Sequence, residues 1–555
     1  MPSRRPSVSS DHRRPTSISS ITKRKNSPVE VTMGRTTTKT AGRNRLEKNS
    51  WRLAGTAAVV ALALCPPTMA AEWKFTPALD IAETYTDNLR LSPSGSATSD
   101  FVTQISPGIA IAGTGRGLHV KADYVMQNLA YARERSGIST NHMLNARANA
   151  ELVEELFFLD GKAAISQQNV SPFGPQTNSN LNLTDNRADV RTWNVSPHLR
   201  HRFGQTATAQ LRYTRDAVDT STGSLLDTES DRVLFNLNSG PAFKSLGWGV
   251  QYSNQKTHYS DAATLEMEEI ALNLRYLISP RFSLTTSVGH EDNNYLSIGE
   301  QPSGYFWSAG FVWTPSERTS ITASAGRRFY GASYSLAASH RTRNTVWSVG
   351  YHEDITTTQS QFAVPMTIDT AGFLNQLWKS SIPDSETRAQ VVDAFIRSTG
   401  LPASLAQAVN TFTNRVFLQK TAQASVALNS AKNTLVLSLF NTRRDGQSTQ
   451  AIDNALLGAA NALLEDNTRQ FGANAVWNWR LSSRTSLNFG AGYTRAHSIS
   501  TGRRDNDKSF RLALVRQFQP RLKGVIEYRR LRHASSESNS DFRENAITAS
   551  LLMGF

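Results

Sequence analysis

The amino-acid sequence predicts an all-β fold, a transmembrane antiparallel β-barrel of about 22 strands with short helical insertions in two extracellular loops. Three features lead to this prediction. Large apolar side chains alternate with small or polar ones along most of the chain, tight turns alternate with long loops, and the last amphipathic segment ends in an aromatic residue, Phe555. A leader of the secretory type precedes these segments, which agrees with an exported protein.

The alternation is clearest in the stretch VWNWRLSSRTSLNFGAGYTR at 476–495. Trp477 and Trp479 share one parity, and the same period resumes after a break at 482–484. Because alternate side chains of a strand point to opposite faces, this pattern predicts an antiparallel hairpin with one apolar and one polar face. About 22 such segments, each of roughly 10 to 15 residues, follow Trp73.

The connections between these segments differ in length. Five tight turns are FGQT at 203–206, SPR at 279–281, TPSER at 314–318, SSR at 482–484 and QPR at 519–521. A long polar loop is NVSPFGPQTNSNLNLTDNR at 169–187. Short turns at one end and long loops at the other are typical of outer-membrane barrels. The alternative, a soluble array of β-sandwiches, does not explain why aromatic residues such as Trp313 and Trp479 lie near strand ends.

Polar residues occupy the face opposite the apolar one, as with Asn474, Asn478 and Arg480. We expect these residues to face a lumen and the aromatic face to contact lipid. Since 16–18 strands already leave an aqueous channel, a barrel of about 22 strands encloses more space than its side chains fill.

Residues 1–70 predict an N-terminal extension and a secretory signal peptide. Basic residues precede the apolar run LAGTAAVVALALC at 53–65, and Thr68 and Ala70 suit cleavage after Ala70. This 13-residue run is shorter than the roughly 20 residues that a spanning helix needs, and a membrane anchor is the alternative. The Ser- and Arg-rich start adds nothing that such a leader needs. This favours Met33 as the true first residue over a genuine disordered extension.

The formal net charge of +15 is concentrated in the leader. Residues 1–70 carry 13 basic and 3 acidic residues, so that 71–555 has a net charge of only +5 and no basic stripe along the sequence. This distribution argues against nucleic acid as a partner. The single cysteine, Cys65, lies in the predicted leader, and the mature chain is therefore expected to lack disulfides, thiolate catalysis and Cys-bound zinc.

Two regions depart from the β pattern. In the insertion 357–415, AGFLNQLWK and PDSETRAQVVDAFIRSTG carry apolar residues at helical spacing, and Asp384 and Gly400 supply start and stop signals for the second. LPASLAQAVNTF continues with a further stripe, and QAIDNALLGAANALL at 450–464 predicts another amphipathic helix. Both regions lie on the long-loop side. They either fold into the barrel mouth and constrict it or form an external cap that packs only on itself.

The sequence predicts no enzyme, no cofactor, no metal and no catalytic residue. The one candidate for a hydrolase site is GHEDNNY, which places His290, Glu291 and Asp292 together at a loop base, a pattern more typical of a solvated rim. Because strands start at Trp73, directly after the leader, a siderophore-type transporter with a plug domain before its barrel is disfavoured. An autotransporter, which needs a long passenger, is disfavoured for the same reason.

Several segments resemble the PEP-CTERM system-associated outer-membrane β-barrel family. They are PALDIAETYTDNLRLSP at 77–93, SDFVTQISPGIAIAGTGRGLHVKADYVMQNLAYAR at 99–133, NHMLNARANAELVEE at 141–155 and TNRVFLQKTAQASVALNSAKNTLVLSLFNTR at 413–443. The resemblance covers about 73–555. It implies a Gram-negative outer-membrane barrel encoded among exopolysaccharide genes, with a part in polymer export or surface assembly, and it defines no functional residues.

We therefore expect a conduit or outer-membrane component for exopolysaccharide. The expected partners are outer-membrane lipid and lipopolysaccharide, the barrel assembly machinery through the last strand ending at Phe555, and exopolysaccharide with its periplasmic export proteins. The alternatives are a general nutrient porin, a non-conducting assembly scaffold and a surface hydrolase with its site near His290.

Overall fold

The computed structural model describes residues 71–134, 137–299, 301–363, 370–379, 381–399, 401, 408–409 and 411–555. The signal peptide and start site predicted within 1–70 lie outside these residues. Twenty-two strands form a single antiparallel sheet. They are β1 (Glu72–Thr86), β2 (Asp100–Gly115), β3 (Leu118–Tyr131), β4 (Ile138–Val153), β5 (Phe157–Asn169), β6 (Arg187–Phe203), β7 (Ala207–Thr220), β8 (Thr228–Ser239), β9 (Leu246–Tyr259), β10 (Ala262–Ser279), β11 (Phe282–Asn293), β12 (Gly304–Ser316), β13 (Thr319–Arg328), β14 (Gly331–Arg341), β15 (Thr345–Thr356), β16 (Phe417–Asn429), β17 (Asn433–Gly446), β18 (Thr468–Arg480), β19 (Thr485–Ser498), β20 (Arg504–Gln519), β21 (Leu522–Ser535) and β22 (Phe542–Gly554).

The sheet closes on itself because β1 pairs with β22 as well as with β2. This closing pair runs from Ala78 opposite Gly554 to Thr86 opposite Ala546. Beyond it, the backbone amide of Phe555 donates to the carbonyl of Pro77 at 3.0 Å. Closure leaves no unpaired strand edge, which a β structure in lipid requires. The predicted barrel of about 22 strands is confirmed.

The two ends of the barrel differ, as predicted. At one end, called the short-turn end, every connection has two to six residues, and β1 begins and β22 finishes there. The other end, called the long-loop end, carries the loops at 87–99, 170–186, 357–416 and 447–467. The long-loop end also holds two tight turns, at 260–261 and 329–330. The positive φ of 111° at Gly331 permits the second of these turns, which the sequence pattern did not predict.

The aromatic face of the hairpin at 476–495 points outward. Trp477 and Trp479 are 37% and 38% exposed and stack with ring centroids 5.8 Å apart. On the opposite face, Asn478 is 8% exposed and donates to Asn488 at 2.6 Å. The expected arrangement, with an apolar outer face and a polar inner one, is therefore confirmed for this hairpin.

Among the described residues, five helices lie in the loops at the long-loop end. They are α1 (Thr358–Ala363), α2 (Thr370–Trp378), α3 (Ser385–Thr399), α4 (Ala451–Leu457) and α5 (Ala459–Asp466). The predictions of α2 and α3 are confirmed, and Asp384 caps α3 by accepting the amide of Thr387 at 2.7 Å. α1 was not predicted, and the stripe in LPASLAQAVNTF falls largely outside the described residues. The single helix predicted at 450–464 is divided in two at Gly458, whose φ is +79°.

None of the helices within the described residues combines the length and the apolarity needed to cross a membrane.

Candidate functional site

The segment that connects β15 to β16, residues 357–416, is called the insert. It leaves β15 and returns to β16 at the long-loop end. Its first helix is buried from the start, since Thr358, Gln359 and Gln361 are at most 8% exposed. Thr358 donates its hydroxyl to the carbonyl of Thr411, 53 residues later, at 2.8 Å. The outgoing and returning ends of the insert therefore contact one another inside the barrel.

The second helix, α2, lies near the short-turn end of the lumen. Its side chains Phe373, Leu374, Leu377 and Trp378 pack in one cluster with the wall residues Val346, Ala427 and Val436. These wall residues lie close to the short-turn ends of β15, β16 and β17. They point inward, because the next residue in each strand, Trp347, Leu428 or Leu437, is 38% to 48% exposed on the outer face.

This apolar contact decides between the two alternatives for the insert. Four large side chains of α2 are no more than 7% exposed. Burying each contributes about 1.5–3 kcal/mol, and the wall shares this burial with α3, whose Val392 belongs to the same cluster. The insert thus passes through the lumen from the long-loop end to the short-turn end, and it is not an external cap that packs only on itself.

The third helix, α3, links this seat to other parts of the wall. Arg388 ties it to α2 by donating to Asn375 at 2.7 Å, and Trp378 meets Phe395 edge to face at 5.2 Å. At the end of α3 the carbonyl of Thr399 accepts from Arg511 of β20 at 2.7 Å.

An ion pair reaches further across the barrel. Asp393 of α3 lies 3.8 Å from Lys121 of β3, ten strands away from β15 around the ring of 22. Contacts to nearly opposite walls mean that the insert crosses the lumen.

The returning part of the insert brings several loops together at the long-loop end. Asn414 donates to the carbonyl of Ser224 at 3.1 Å and accepts the amide of Leu226 at 2.8 Å. The amide of Asn414 also donates to Asp453 of α4 at 2.9 Å. The amide of Phe412, which is fully buried, donates to Val170 at 2.9 Å. The loops at 170–186, 221–227 and 447–467 therefore all contact the insert.

A buried polar cluster fixes α1 to the wall. Gln361 donates to Gln419 of β16 at 2.6 Å, and Arg444 of β17 donates to both amides at 2.6 and 2.9 Å. The guanidinium of Arg444 also lies 4.7 Å from the ring centroid of Phe417. Buried polar groups that satisfy one another in this way are costly to separate, because each then loses its partner away from water.

The loop at 170–186, which was predicted as a long polar loop, also folds inward. Leu181 packs with Leu129 of β3, and Asn182 donates to Glu544 of β22 at 2.8 Å. Glu544 is fully buried and pairs with Arg529 at 2.8 Å. A second segment therefore occupies the lumen beside the insert.

The last helix, α5, carries a buried acid next to the insert. Asp466 forms an ion pair with Arg415 of the insert. Burial, with a smaller contribution from the nearby Asp453, raises the pKa of the neighbouring Glu465 to about 8, although Ser171 and Arg444 act in the opposite direction. Glu465 is half-buried as a residue, but its Oε2 atom is buried without a hydrogen-bond partner.

A cavity of about 250 Å³ remains between α1 and the wall of β8 to β15. Arg328 lines it and pairs with Glu269 at 2.5 Å and with Glu291 at 2.6 Å. Arg232 and Asp354 are further charged residues of its lining. The inner wall beside the insert is therefore charged, in contrast to the apolar seat of α2.

The structure separates His290 from Glu291, two of the three residues considered for a hydrolase site. His290 lies on the outer face, where its ring is 4.8 Å from Tyr305, a residue that is 87% exposed. Glu291 points inward and is 5% exposed, because it follows His290 in the same strand. Within the described residues no group of three or more His, Cys, Asp or Glu side chains is placed to hold a metal ion.

These features define a class: an outer-membrane β-barrel of 22 strands whose lumen is occupied by its own loops. No protein-family model and no curated protein matches the chain.

Solved structures to which the chain is similar include the siderophore receptor PirA from Pseudomonas aeruginosa, at 11% identity and a TM-score of 0.43, covering 87% of this chain and 80% of the receptor. The FrpB iron transporter from Neisseria meningitidis has 10% identity and a TM-score of 0.46, with 87% and 81% covered. The outer membrane protein OpdK from Pseudomonas aeruginosa has 9% identity and a TM-score of 0.33, with 87% and 99% covered.

Proposed function

We propose that this protein is a conduit in the outer membrane of a Gram-negative bacterium and that the insert keeps the conduit closed at rest. In this proposal the conduit serves exopolysaccharide export or surface assembly associated with a PEP-CTERM sorting system. The observation that carries the proposal is the seat of α2 near the short-turn end, at the bottom of a lumen that a 22-stranded wall makes wide.

Two properties of the lumen support a conduit over a sealed scaffold. The returning part of the insert makes polar contacts at the long-loop end, as at Asn414, and water can replace such contacts when the segments separate. The wall beside the insert keeps a charged cavity next to Arg328. An extended polar polymer needs a hydrated, charged wall of this kind. The link to exopolysaccharide itself rests on the sequence resemblance.

The test is to remove the insert without disturbing the wall. Thr356 of β15 lies opposite Phe417 of β16 in register, so a short Gly-containing turn can join the two strands. The matched control shortens the exposed loop at 536–541, which lies at the same end. Both variants and the unaltered protein are purified from the outer membrane and recorded in planar bilayers.

We expect the deletion to raise the conductance by at least about tenfold, because an empty barrel of 22 strands is wider than porins of 16–18 strands that already conduct. The control variant should conduct as the unaltered protein does. If the folded deletion variant stays closed, the protein is a scaffold and the conduit proposal fails. If the open variant passes small sugars but a long acidic polysaccharide neither enters it nor blocks its current, a nutrient porin replaces the export conduit.

A further inference from the structure

The outer face of the barrel carries basic residues on six adjacent strands, β17 to β22. They are called the basic band and comprise Arg443, Arg469, Arg495, Arg504, Lys508, Arg530, Arg532 and Arg543. All eight side chains are exposed. They share the parity of outward-facing apolar residues in the same strands, such as Leu439, Phe471 and Ile547, which are 42% to 55% exposed.

The pairing of the strands places these charges directly beside one another. Arg443 lies opposite Arg469. Arg532 lies opposite both Lys508 and Arg543 in its two neighbouring strands. Like charges directly opposite one another destabilise a sheet, so an arrangement of this kind implies a negatively charged partner.

The protein itself supplies little negative charge at this place. Arg443 pairs with Asp445 at 2.9 Å, and Arg469 donates to the amide of Asn441 at 3.1 Å. Among the described residues, no carboxylate lies within ion-pair distance of Arg495, Arg504 or the other four members of the band.

Elsewhere on the outer face, three basic residues are paired: Arg215 of β7 with Glu229 at 2.6 Å, Lys256 of β9 with Glu266 at 3.0 Å and Lys420 of β16 with Glu353 at 3.3 Å. Arg327 of β13 is also exposed and faces outward, but it lies opposite Trp307 and Ala332 and not opposite another charge. Basic residues that lie directly beside one another therefore characterise the basic band.

The height of the band on the barrel identifies the partner. Four members of the band each lie two residues from an aromatic residue whose ring faces outward, on the side toward the long-loop end. These pairs are Arg469 and Phe471, Arg495 and Tyr493, Lys508 and Phe510, and Arg530 and Tyr528. Two residues of a strand span about 6.6–6.8 Å. Outward-facing aromatic rings lie at the membrane interface, so the next outward positions lie at the level of the lipid headgroups.

We propose that the basic band binds the phosphate groups of the lipids that surround the long-loop end of the barrel. Arginine is suited to this role, because its planar guanidinium forms paired hydrogen bonds to phosphate oxygens. A polymer that passes through the lumen would not meet this surface, since the band faces away from it. The proposal depends on the barrel and its register and is independent of whether the lumen conducts.

The test compares two triple variants that each remove three positive charges. The first is Arg504→Gln, Arg532→Gln and Arg543→Gln, within the band. The control is Arg215→Gln, Lys256→Gln and Lys420→Gln, at the three paired positions outside the band. The full chain is produced in a Gram-negative host, purified in a neutral detergent, freed of lipid and titrated with bis-phosphorylated lipid A, and the bound lipid is counted by native mass spectrometry.

We expect the band variant to bind this lipid on the order of a hundredfold more weakly, since each Lys or Arg near an anionic lipid surface contributes a factor of about five. The control should stay within about threefold of the unaltered protein, although its net charge is the same as that of the band variant. Lipid A without its phosphates should bind the unaltered protein as weakly as phosphorylated lipid A binds the band variant.

Three outcomes would overturn the proposal. The first is an equal loss of binding in both triple variants, because net charge alone would then explain it. The second is equal binding of phosphorylated and phosphate-free lipid A. The third is preferential binding of an acidic polysaccharide or of inorganic phosphate alone. If the triple glutamine variant does not fold, the single variants Arg504→Gln, Arg532→Gln and Arg543→Gln are titrated in its place. Each is expected to bind about fivefold more weakly, and unchanged binding in all three would also contradict the proposal.

Discussion

Replacing Leu374 with alanine tests whether the apolar seat of α2 holds the insert in the lumen. Leu374 is fully buried and belongs to the cluster that joins α2 to Val346, Ala427 and Val436. The change removes buried methyl groups and leaves a cavity on the side of the helix that faces the wall. The strand pairing that builds the barrel does not involve this side chain.

The magnitude follows from the burial of the side chain. A buried Leu→Ala substitution costs about 2–5 kcal/mol, and every 1.4 kcal/mol corresponds to about a factor of ten. If the insert leaves its seat as a unit, the ratio of open to closed channels rises by about thirtyfold to several thousandfold. Openings that are too rare to record in the unaltered protein should then become frequent.

Single-channel recording in planar bilayers measures this ratio directly. The matched control is Leu437→Ala, which removes the same methyl groups from the lipid-facing side of β17, one residue after Val436. The control should not alter the open probability. The reasoning is refuted if removal of the whole insert opens the channel while Leu374→Ala leaves the open probability unchanged, because the seat of α2 would then not be what holds the insert.

Three further predictions concern other parts of the molecule. Because burial raises the pKa of Glu465 to about 8, this carboxyl holds a proton in the folded loop at pH values where it loses one in the unfolded chain. The loop at 447–467 should therefore lose stability as pH rises from about 4.5 to 8, and Glu465→Gln should remove this dependence in a limited-proteolysis series. Asn414→Ala should lower the stability of the layer at the long-loop end by about 1–3 kcal/mol, seen as faster hydrogen exchange at the amide of Leu226, since that amide loses its acceptor. Deleting Phe555, whose side chain is 62% exposed, should leave the urea stability of the purified barrel nearly unchanged but reduce the fraction inserted in cells, and equal insertion would contradict its role as an assembly signal.

The wall of the barrel was predictable because its signals are local. Each strand shows an alternation of apolar and polar side chains within its own residues, and each tight turn lies next to the strands that it joins. The number of strands and the difference between the two ends of the barrel can therefore be predicted from short stretches such as 476–495. The turn at 329–330 was missed, since it depends on one conformation, the positive φ of Gly331. The division of the predicted helix at Gly458 has the same cause.

The place of the insert was only half predictable. The apolar stripes of α2 and α3 required burial, but the residues that bury α2, such as Val346, Ala427 and Val436, look like ordinary inward positions of three separate strands. The contacts that fix its other end join residues far apart in sequence, for example Asn414 with Leu226 and Asp393 with Lys121. The spacing of apolar and polar residues within one segment does not indicate which distant residue a side chain will contact. The same limit explains why the inward fold of the loop at 170–186 was missed.

The basic band shows how register creates a surface that the sequence does not display. Consecutive members of the band are up to 26 residues apart along the chain, and residues 71–555 contain no basic stripe in the sequence. In the folded barrel, strand pairing brings Arg443 beside Arg469 and Arg532 beside Arg543. A net charge of only +5 over 71–555 is thus compatible with a strongly basic sector, because outer-face carboxylates such as Glu229 and Glu266 lie in other strands. The net charge of a chain therefore does not by itself exclude a charged partner of a closed barrel. The charged residues on the outer face of each strand have to be compared with those on the neighbouring strands first.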